Sequence, residues 1–387
     1  MTAAQAGSHP RVLLLATTIL LPYRVMRCAE AAGAKVLVLS AAGGADLRFS
    51  NRLEGCRRIE SPMDGIFNPA LADEINWQAE QFGADMVLPG DAPSTRSLIA
   101  VQDRVRSPCF PMPDLECFDL LNNKWRFQAL CDELGIEHAG GGLYANVEAL
   151  GSAVQAGEVR FAAIAKPLSM DSGIGCVVLK ARSAERDLRR IFYAPILVQD
   201  FIPGSDIGAS TYCHDGEITA FVAHRYHHQT YTTFNDQRVY ESIEKVSRRL
   251  GLTGVFNFDI RLTPEGRIYF LECNPRFFFK IAMSMLAGIN FVALGLPGAA
   301  VPSAPVRCGE TVVQLPKAIL AALPTPWRLR GRSWSALKFA LADPVPYLRE
   351  ELGLFDQEKA RLHSFRKTTS PAEPAHDDLS QDARQVA

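Results

Sequence analysis

Asp259, Glu272, Asn274 and Arg276 are the residues of this chain whose types and order point most directly to chemistry. Two carboxylates and an amide supply only hard oxygen donors, a set that suits Mg²⁺. That ion takes a few protein oxygens, keeps waters, and completes its octahedron with substrate phosphates. Arg276 adds a cation able to hold a phosphate oxygen. Buried carboxylates are costly unless paired or bound to a metal. A plainer reading is a solvated polar face on which Arg261 pairs with Asp259. On these residues alone both readings stand.

The elements that must carry these side chains read as two strands. Val255 to Leu262 and Arg267 to Cys273 are rich in Phe, Ile, Tyr and Leu, and Thr263-Pro264-Glu265-Gly266 between them has turn chemistry. A four-residue loop sets Leu262 opposite Arg267. Alternation then puts Phe256, Phe258, Ile260, Leu262, Tyr269, Leu271 and Cys273 on a core face. The other face carries Asn257, Asp259, Arg261, Glu272 and Asn274, with Ile268 and Phe270.

Glu272-Cys273-Asn274-Pro275-Arg276, following a strand with an acidic residue, resembles the metal-binding signature of the ATP-grasp superfamily. The order of residues upstream strengthens the resemblance. Leu120 to Gly135 reads as a helix with Lys124 near its start. A lone lysine there is ordinarily solvated and opposes the helix dipole, but Asn123-Lys124 matches the pair whose lysine touches nucleotide phosphates in the family. Gly135-Ile136-Glu137 is similar to the family's G-I-P turn. Phe161 to Lys166 reads as a strand ending at Pro167, followed by the small-residue loop Leu168 to Gly175 and a strand from Cys176 to Leu179. Such a loop lets backbone N–H groups approach phosphates closely, through Ser172 and Gly173 here, while Lys166 meets them as a point charge. A small-residue turn by itself carries little. In Ile196 to Asp206 the resemblance implies an adenine and ribose site. The backbone of Asp200 and Ile202, on either side of Phe201, would bond the ring edge, Gln199 would reach its amino group, and Asp206 the ribose hydroxyls. The plain alternative is a strand end and a Pro-Gly turn.

Phe221 to Gln237 departs from the family pattern, which has a basic residue followed by glycines. Arg225 is kept, and the resemblance implies contact with the γ-phosphate or an acyl phosphate. His227 and His228 would face opposite sides of a strand and make a poor metal pair, though one could face the site as a base. Phe277-Phe278-Phe279-Lys280 replaces a small residue of relatives; this bulk either narrows the acyl site or packs the core, and packing is the favoured reading.

The 387 residues, 48% hydrophobic and 21% charged with net charge −1, allow two or three globular domains and give no pointer to nucleic acid or an anionic membrane. The nine cysteines form no C-x-x-C pair, so a disulfide framework is not expected and a reducing cytoplasm is. Ala282 to Pro302 is apolar but broken by Asn290, glycines and Pro297, which reads as a buried helix and loop rather than a membrane span. Strands at Val12 to Leu15, Lys35 to Leu39 and Asp85 to Leu88, with a helix at Leu20 to Ala32, indicate a parallel α/β unit. Ala16-Thr17-Thr18 after the first strand is not a G-x-G-x-x-G fingerprint, so no dinucleotide site is read. Pro89-Gly90-Asp91 with Ser94 fits a ligand-facing strand end or a helix cap, and capping is favoured. Thr311 to Leu323 reads as helical, Trp327 to Ala342 as an amphipathic helix, and the tail from Ser364 as disordered.

The expected fold is α/β (α+β): a Rossmann-like domain over 1–115, an ATP-grasp fold of two α+β subdomains over 116–300, a helical extension over 301–363, and a tail over 364–387. The resemblance is good from Asn122 to Phe277, loose before and weak beyond Val301. It implies an ADP-forming carboxylate–amine ligase that uses ATP and Mg²⁺, with Mn²⁺ as a substitute ion. A carboxylate becomes an acyl phosphate and an amine displaces phosphate. Asp259, Glu272 and Asn274 would hold the metal, and Arg276 and Arg225 would stabilise developing charge. The alternatives are a carboxylase or carbamoyl-phosphate-type enzyme, a non-catalytic ATP-binding scaffold, and a Rossmann oxidoreductase, which the missing fingerprint disfavours. Expected partners are a small carboxylate and an amine, with no nucleic acid, no stable membrane insertion, and a homodimer by analogy with relatives.

Overall fold

Four strands, β1 (Arg11–Ala16), β2 (Lys35–Ser40), β3 (Gly55–Arg58) and β4 (Met86–Pro89), form a parallel sheet in the order β3-β2-β1-β4. The structure, a computed structural model, describes residues 9–170, 173–227, 229–300, 302, 304–315 and 333–351. Successive residues of β1 point to opposite faces, as strand geometry demands. Val12, Leu14 and Ala16 pack with helix α1 (Leu20–Ala31). Leu13 and Leu15 pack with α2 (Pro69–Phe82) and α3 (Ala92–Val101). Asp91 caps α3 in a reciprocal box with Ser94. Its Oδ2 also accepts from the backbone N–H and hydroxyl of both Thr17 and Thr18. The Asp91–Ser94 pair is therefore a cap that also ties the β1 loop in place.

The expected helix from Leu120 to Gly135 is in fact the end of one helix and all of another. Helix α4 (Leu115–Asn122) ends at Asn123, whose extended backbone breaks the run and whose side chain caps α5 (Lys124–Leu134) by accepting from Trp125 and Arg126 N–H. A small antiparallel sheet follows, in the order β5-β8-β6-β7, from β5 (Gly141–Tyr144), β6 (Ala163–Lys166), β7 (Val177–Leu179) and β8 (Ile196–Asp200).

The largest sheet has seven strands. They are β9 (Ser205–His214), β10 (Glu217–His227), β11 (Thr230–Phe234), β12 (Gly254–Leu262), β13 (Ile268–Asn274), β14 (Val306–Arg307) and β15 (Thr311–Gln314). The order is β13-β12-β9-β10-β11-β15, with β14 beside β10. One face packs Phe256, Phe258 and Ile260 against helices α5 and α6 (Gln237–Leu250). The other is part core, shared with the N-terminal sheet and the Phe277–Phe278 pair, and part cleft.

Two expectations need correction here. Thr311 to Gln314 is a strand, not the start of a helix: the β-branched Thr-Val-Val run extends the sheet by pairing with β11. With β14 it draws part of the expected helical extension into the central sheet. Of the expected Trp327–Ala342 helix, Ser333–Leu341 is helical, and a second short helix follows at Pro344–Glu351; residues 316–332 and the tail lie outside the described residues. The second correction concerns the β12–β13 hairpin. Leu262 faces Ile268, and the register shifts between Asp259–Glu272 and Ile260–Phe270. Leu271 is the extra residue of a bulge. Ile268 and Phe270 therefore join the core face, while Leu271 and Glu272 both line the cleft.

Beyond β15, the chain returns to the N-terminal sheet. Asp343, almost fully buried, accepts from Ser50 Oγ at 2.5 Å and from Asn51 N–H at 3.1 Å, and lies 3.9 Å from Arg27. Asp343→Ala strands these donors and removes a buried anion beside a buried cation. Its expected cost is about 2–3 kcal/mol of stability, read as a lower denaturation midpoint; an unchanged midpoint would show that this contact does not anchor the C-terminal helices. No helix among the described residues is long and apolar enough to cross a membrane. All nine cysteines are free thiols.

Candidate active site

The small and large sheets face each other across a cleft of about 640 Å³. Lys166 and Gln199 enter it from the small sheet, Lys124 from the start of α5, and Asn257, Asp259, Glu272 and Asn274 from the large one. Asp259 stands directly opposite Glu272, and Asn257 opposite Asn274. Lys124 Nζ lies 3.1 Å from Glu272 Oε2 and donates to the Met170 carbonyl at 2.8 Å. Asn257 donates to Asp259 Oδ1 at 3.1 Å and receives Ser210 Oγ at 2.9 Å. Arg276, itself buried, donates to Asn274 Oδ1 at 2.9 Å and to the Phe277 carbonyl at 3.0 Å.

Burial, and then the adjacent Glu272 carboxylate, pushes Asp259 up to about 8, against the pull of Asn257 and Arg276. Burial alone would raise Glu272 as well, but Lys124, the hydrogen bond from Asp259 and Lys166 hold it below its usual range. The pair thus shares a proton that resides on Asp259. Two carboxylates forced together in this way are the arrangement a divalent cation relieves, by taking the place of that proton. Among the described residues no group of three or more His, Cys, Asp or Glu gathers at metal-binding spacing, so the fit to Mg²⁺ rests on the oxygen donors of Asp259, Glu272 and Asn274. Two carboxylates and one amide leave coordination positions for phosphate oxygens and water.

Lys166, at the end of β6, is buried, and that burial lowers its pKa although Glu272 opposes the shift. Gln199 is buried, with Nε2 3.4 Å from Gln128 Oε1. The Asp200 N–H donates to the Gly140 carbonyl at 2.9 Å, and its carboxylate meets Arg160 at 3.2 Å. Asp200, Ile202 and Asp206 line the cleft; Phe201 does not. Asp206 is ion-paired with Arg261, which also donates to the Ile202 carbonyl at 2.9 Å. Arg261 is thus engaged at the cleft's edge, and the plainer reading that paired it with Asp259 fails. Gly173, at φ +69°, sits in the left-handed region that glycine adopts without strain. Ser172 lies outside the described residues.

Arg225 is not brought to this cleft. His224 and Tyr226 line it, and alternation along β10 turns Arg225 to the opposite face, with its guanidinium 5.1 Å from the centre of the Phe234 ring. The same parity keeps His227 out of the cleft wall; His228 is outside the described residues. Sequence reasoning passed over His224, Tyr226 and Lys280, although Phe221 to Gln237 was visibly unusual. Strand parity would have identified the first two, had the strand's facing been known.

Residues 192–312 match the family described as ATP-grasp in the biosynthetic pathway with Ter operon. The chain is 23% identical over 231 residues to the carbamoyl phosphate synthase arginine-specific large chain of Bacillus subtilis, covering 54% of this chain and 21% of that one. Among solved structures, the biotin carboxylase domain of Hydrogenobacter thermophilus 2-oxoglutarate carboxylase, with MgADP, ADP and bicarbonate, superposes with a TM-score of 0.59 at 15% identity, covering 79% of this chain and 74% of that one. The L-amino acid ligase of Bacillus licheniformis superposes with a TM-score of 0.57 at 16% identity, covering 76% and 75%. This chain has the ATP-grasp fold, and its match to an ATP-grasp family lies within residues 192–312. The small and large sheets are the two lobes of the ATP-grasp fold, and the carboxylate pair lies in the cleft between them. The chain spans about a fifth of the length of the carbamoyl phosphate synthase it matches.

Proposed function

We propose that the protein is an Mg²⁺- and ATP-dependent, ADP-forming ligase that joins a carboxylate to an amine. The observation that carries this reading is the Asp259–Glu272 pair, two half-buried carboxylates directly opposite each other, with Glu272 3.1 Å from Lys124, in a cleft walled by cationic side chains. Lys124 and Lys166 hold nucleotide phosphates, Gln199, Asp200 and Ile202 receive adenine, and Asp206 receives the ribose once it exchanges Arg261 for a hydroxyl. Asp259, Glu272 and Asn274 hold Mg²⁺, which when bound screens the phosphate charges and orients them. A substrate carboxylate oxygen attacks the γ-phosphorus, the bond from that phosphorus to the bridging oxygen breaks, and ADP leaves. The amine nitrogen then attacks the acyl carbon, the bond to the phosphate oxygen breaks, and the amine proton passes to solvent. Arg276 stabilises the charge that develops on the transferred group. None of these steps needs a protein nucleophile. The carboxylase reading stays as the second one, because the Hydrogenobacter thermophilus relative binds bicarbonate.

The proton on Asp259 gives a test independent of substrate. Mg²⁺ must displace it, so affinity for Mg²⁺ with a non-hydrolysable ATP analogue rises by up to about tenfold per pH unit below about pH 8 and levels off above. Calorimetry in buffers of different ionisation heat should also detect proton release. In the absence of metal the sign reverses: because the folded-state pKa of Asp259 is raised, its contribution to stability is lost as pH climbs through about 8. An Mg²⁺ affinity that does not change with pH would remove Asp259 from the metal site.

A further inference from the structure

The cleft continues past the carboxylate pair to a second end, walled by Gly208, His224, Tyr226, Phe278, Phe279 and Lys280. A transverse row of the large sheet joins the two ends: Glu272 pairs with Asp259, Asp259 with Gly208, and Gly208 with His224. Gly208 is the step without a side chain, and the imidazole takes up the space. A Cβ on Gly208 would stand 2.6 Å from both Nε2 and Cε1 of His224. The ring is clamped by stacking on Tyr231, with centroids 4.7 Å apart, and lies nearly parallel to Phe278 at 6.4 Å. His224 is only 6% exposed, and its buried Nδ1 has no hydrogen-bond partner. An orphaned acceptor is better tolerated than an orphaned donor. The proton is therefore assigned to Nε2, the ring nitrogen that lies over Gly208. Burial, and then Lys280, pushes the pKa down to about 3, so the ring remains neutral.

This end consequently offers donors: the His224 Nε2–H, the Lys280 ammonium and the neighbouring Arg276 guanidinium. None of the six residues that wall it is acidic. An ammonium substrate would be repelled and a carboxylate attracted. The rest of the wall is aromatic, with Lys280 Nζ 3.4 Å from the centre of the Tyr226 ring. Bicarbonate has no apolar body to cover such a surface, and a dicarboxylate would bury a second, unmatched charge against it.

Resting on the ligase reading, we infer that this end seats the acid to be activated, a monocarboxylate with an aromatic or similarly large apolar body. Lys280 and His224 Nε2–H hold its carboxylate beside Arg276, and Tyr226, Phe278 and Phe279 pack the body. The amine then enters from elsewhere, away from these cations.

The test is calorimetric titration of the full chain, saturated with Mg²⁺ and a non-hydrolysable ATP analogue, with phenylacetate, 3-phenylpropionate, succinate and bicarbonate in turn. At least one aromatic acid should bind saturably while succinate and bicarbonate do not. Lys280→Met should weaken that binding by about 10- to 100-fold, Lys280→Arg should restore most of it, and nucleotide affinity should stay constant in both, which also shows that the variants fold. The assignment is overturned if only succinate or bicarbonate binds, if no acid binds although the nucleotide does, or if Lys280→Met binds the aromatic acid as the parent does. Failure of the nucleotide itself to bind would instead overturn the ligase reading, and this assignment with it.

Discussion

Glu272→Ala lowers Mg²⁺-dependent ADP release by about 10³-fold or more, the loss expected when a metal that neutralises transferring phosphates is no longer held in place. The variant also leaves Lys124, a buried cation, without the carboxylate it meets at 3.1 Å. Some loss of stability, about 1–3 kcal/mol, therefore accompanies the loss of turnover. Glu272→Gln separates the two effects. It keeps an oxygen for Lys124 and removes the like charge that helps hold the proton on Asp259, so it should melt close to the parent and still fail to turn over. A coupled ADP assay beside a thermal melt reads both. Turnover within tenfold of the parent in both variants would take Glu272 out of the reaction.

The second large effect is expected at Arg276. Arg276→Ala should reduce turnover by about 10²- to 10³-fold with little change in nucleotide affinity, because its charge is needed where negative charge grows rather than where ATP is gripped. Arg276→Lys should recover only part of the rate. The guanidinium fork serves Asn274 Oδ1 and the Phe277 carbonyl together, and a single ammonium cannot span both. Pre-steady-state ADP formation beside equilibrium nucleotide binding separates the two quantities. A fall in affinity as large as the fall in rate would make Arg276 a nucleotide anchor instead.

The hairpin that carries Asp259, Glu272 and Asn274 was legible in the sequence because its chemistry is local: two alternating strands and a turn place the oxygens within one supersecondary unit. Lys124 and Lys166 were legible for a related reason, each lying at the end of an element whose boundary is marked, by the Asn123 cap and by Pro167. The errors came where parity is set at a distance. The Leu271 bulge resets the alternation of β13, and nothing in Ile268 to Cys273 marks it. Arg225 was assigned to the site from its position in the chain, yet its facing depends on how β10 pairs with β9, where Gly208 opposite His224 decides which side chains lean into the cleft. Thr311 to Gln314 became a strand only because β11 offers it an edge. The ion pair between Asp206 and Arg261 joins the start of β9 to the end of β12, residues far apart in the chain, and could not be read from either segment alone.

The most direct measurement is ADP release by the full chain with Mg·ATP and a panel of carboxylic acids, each with and without a second amine, with Glu272→Ala in parallel. The account predicts ADP and phosphate that require both an acid and an amine, and no release in the variant. ADP driven by bicarbonate alone, or AMP and pyrophosphate as products, would contradict it.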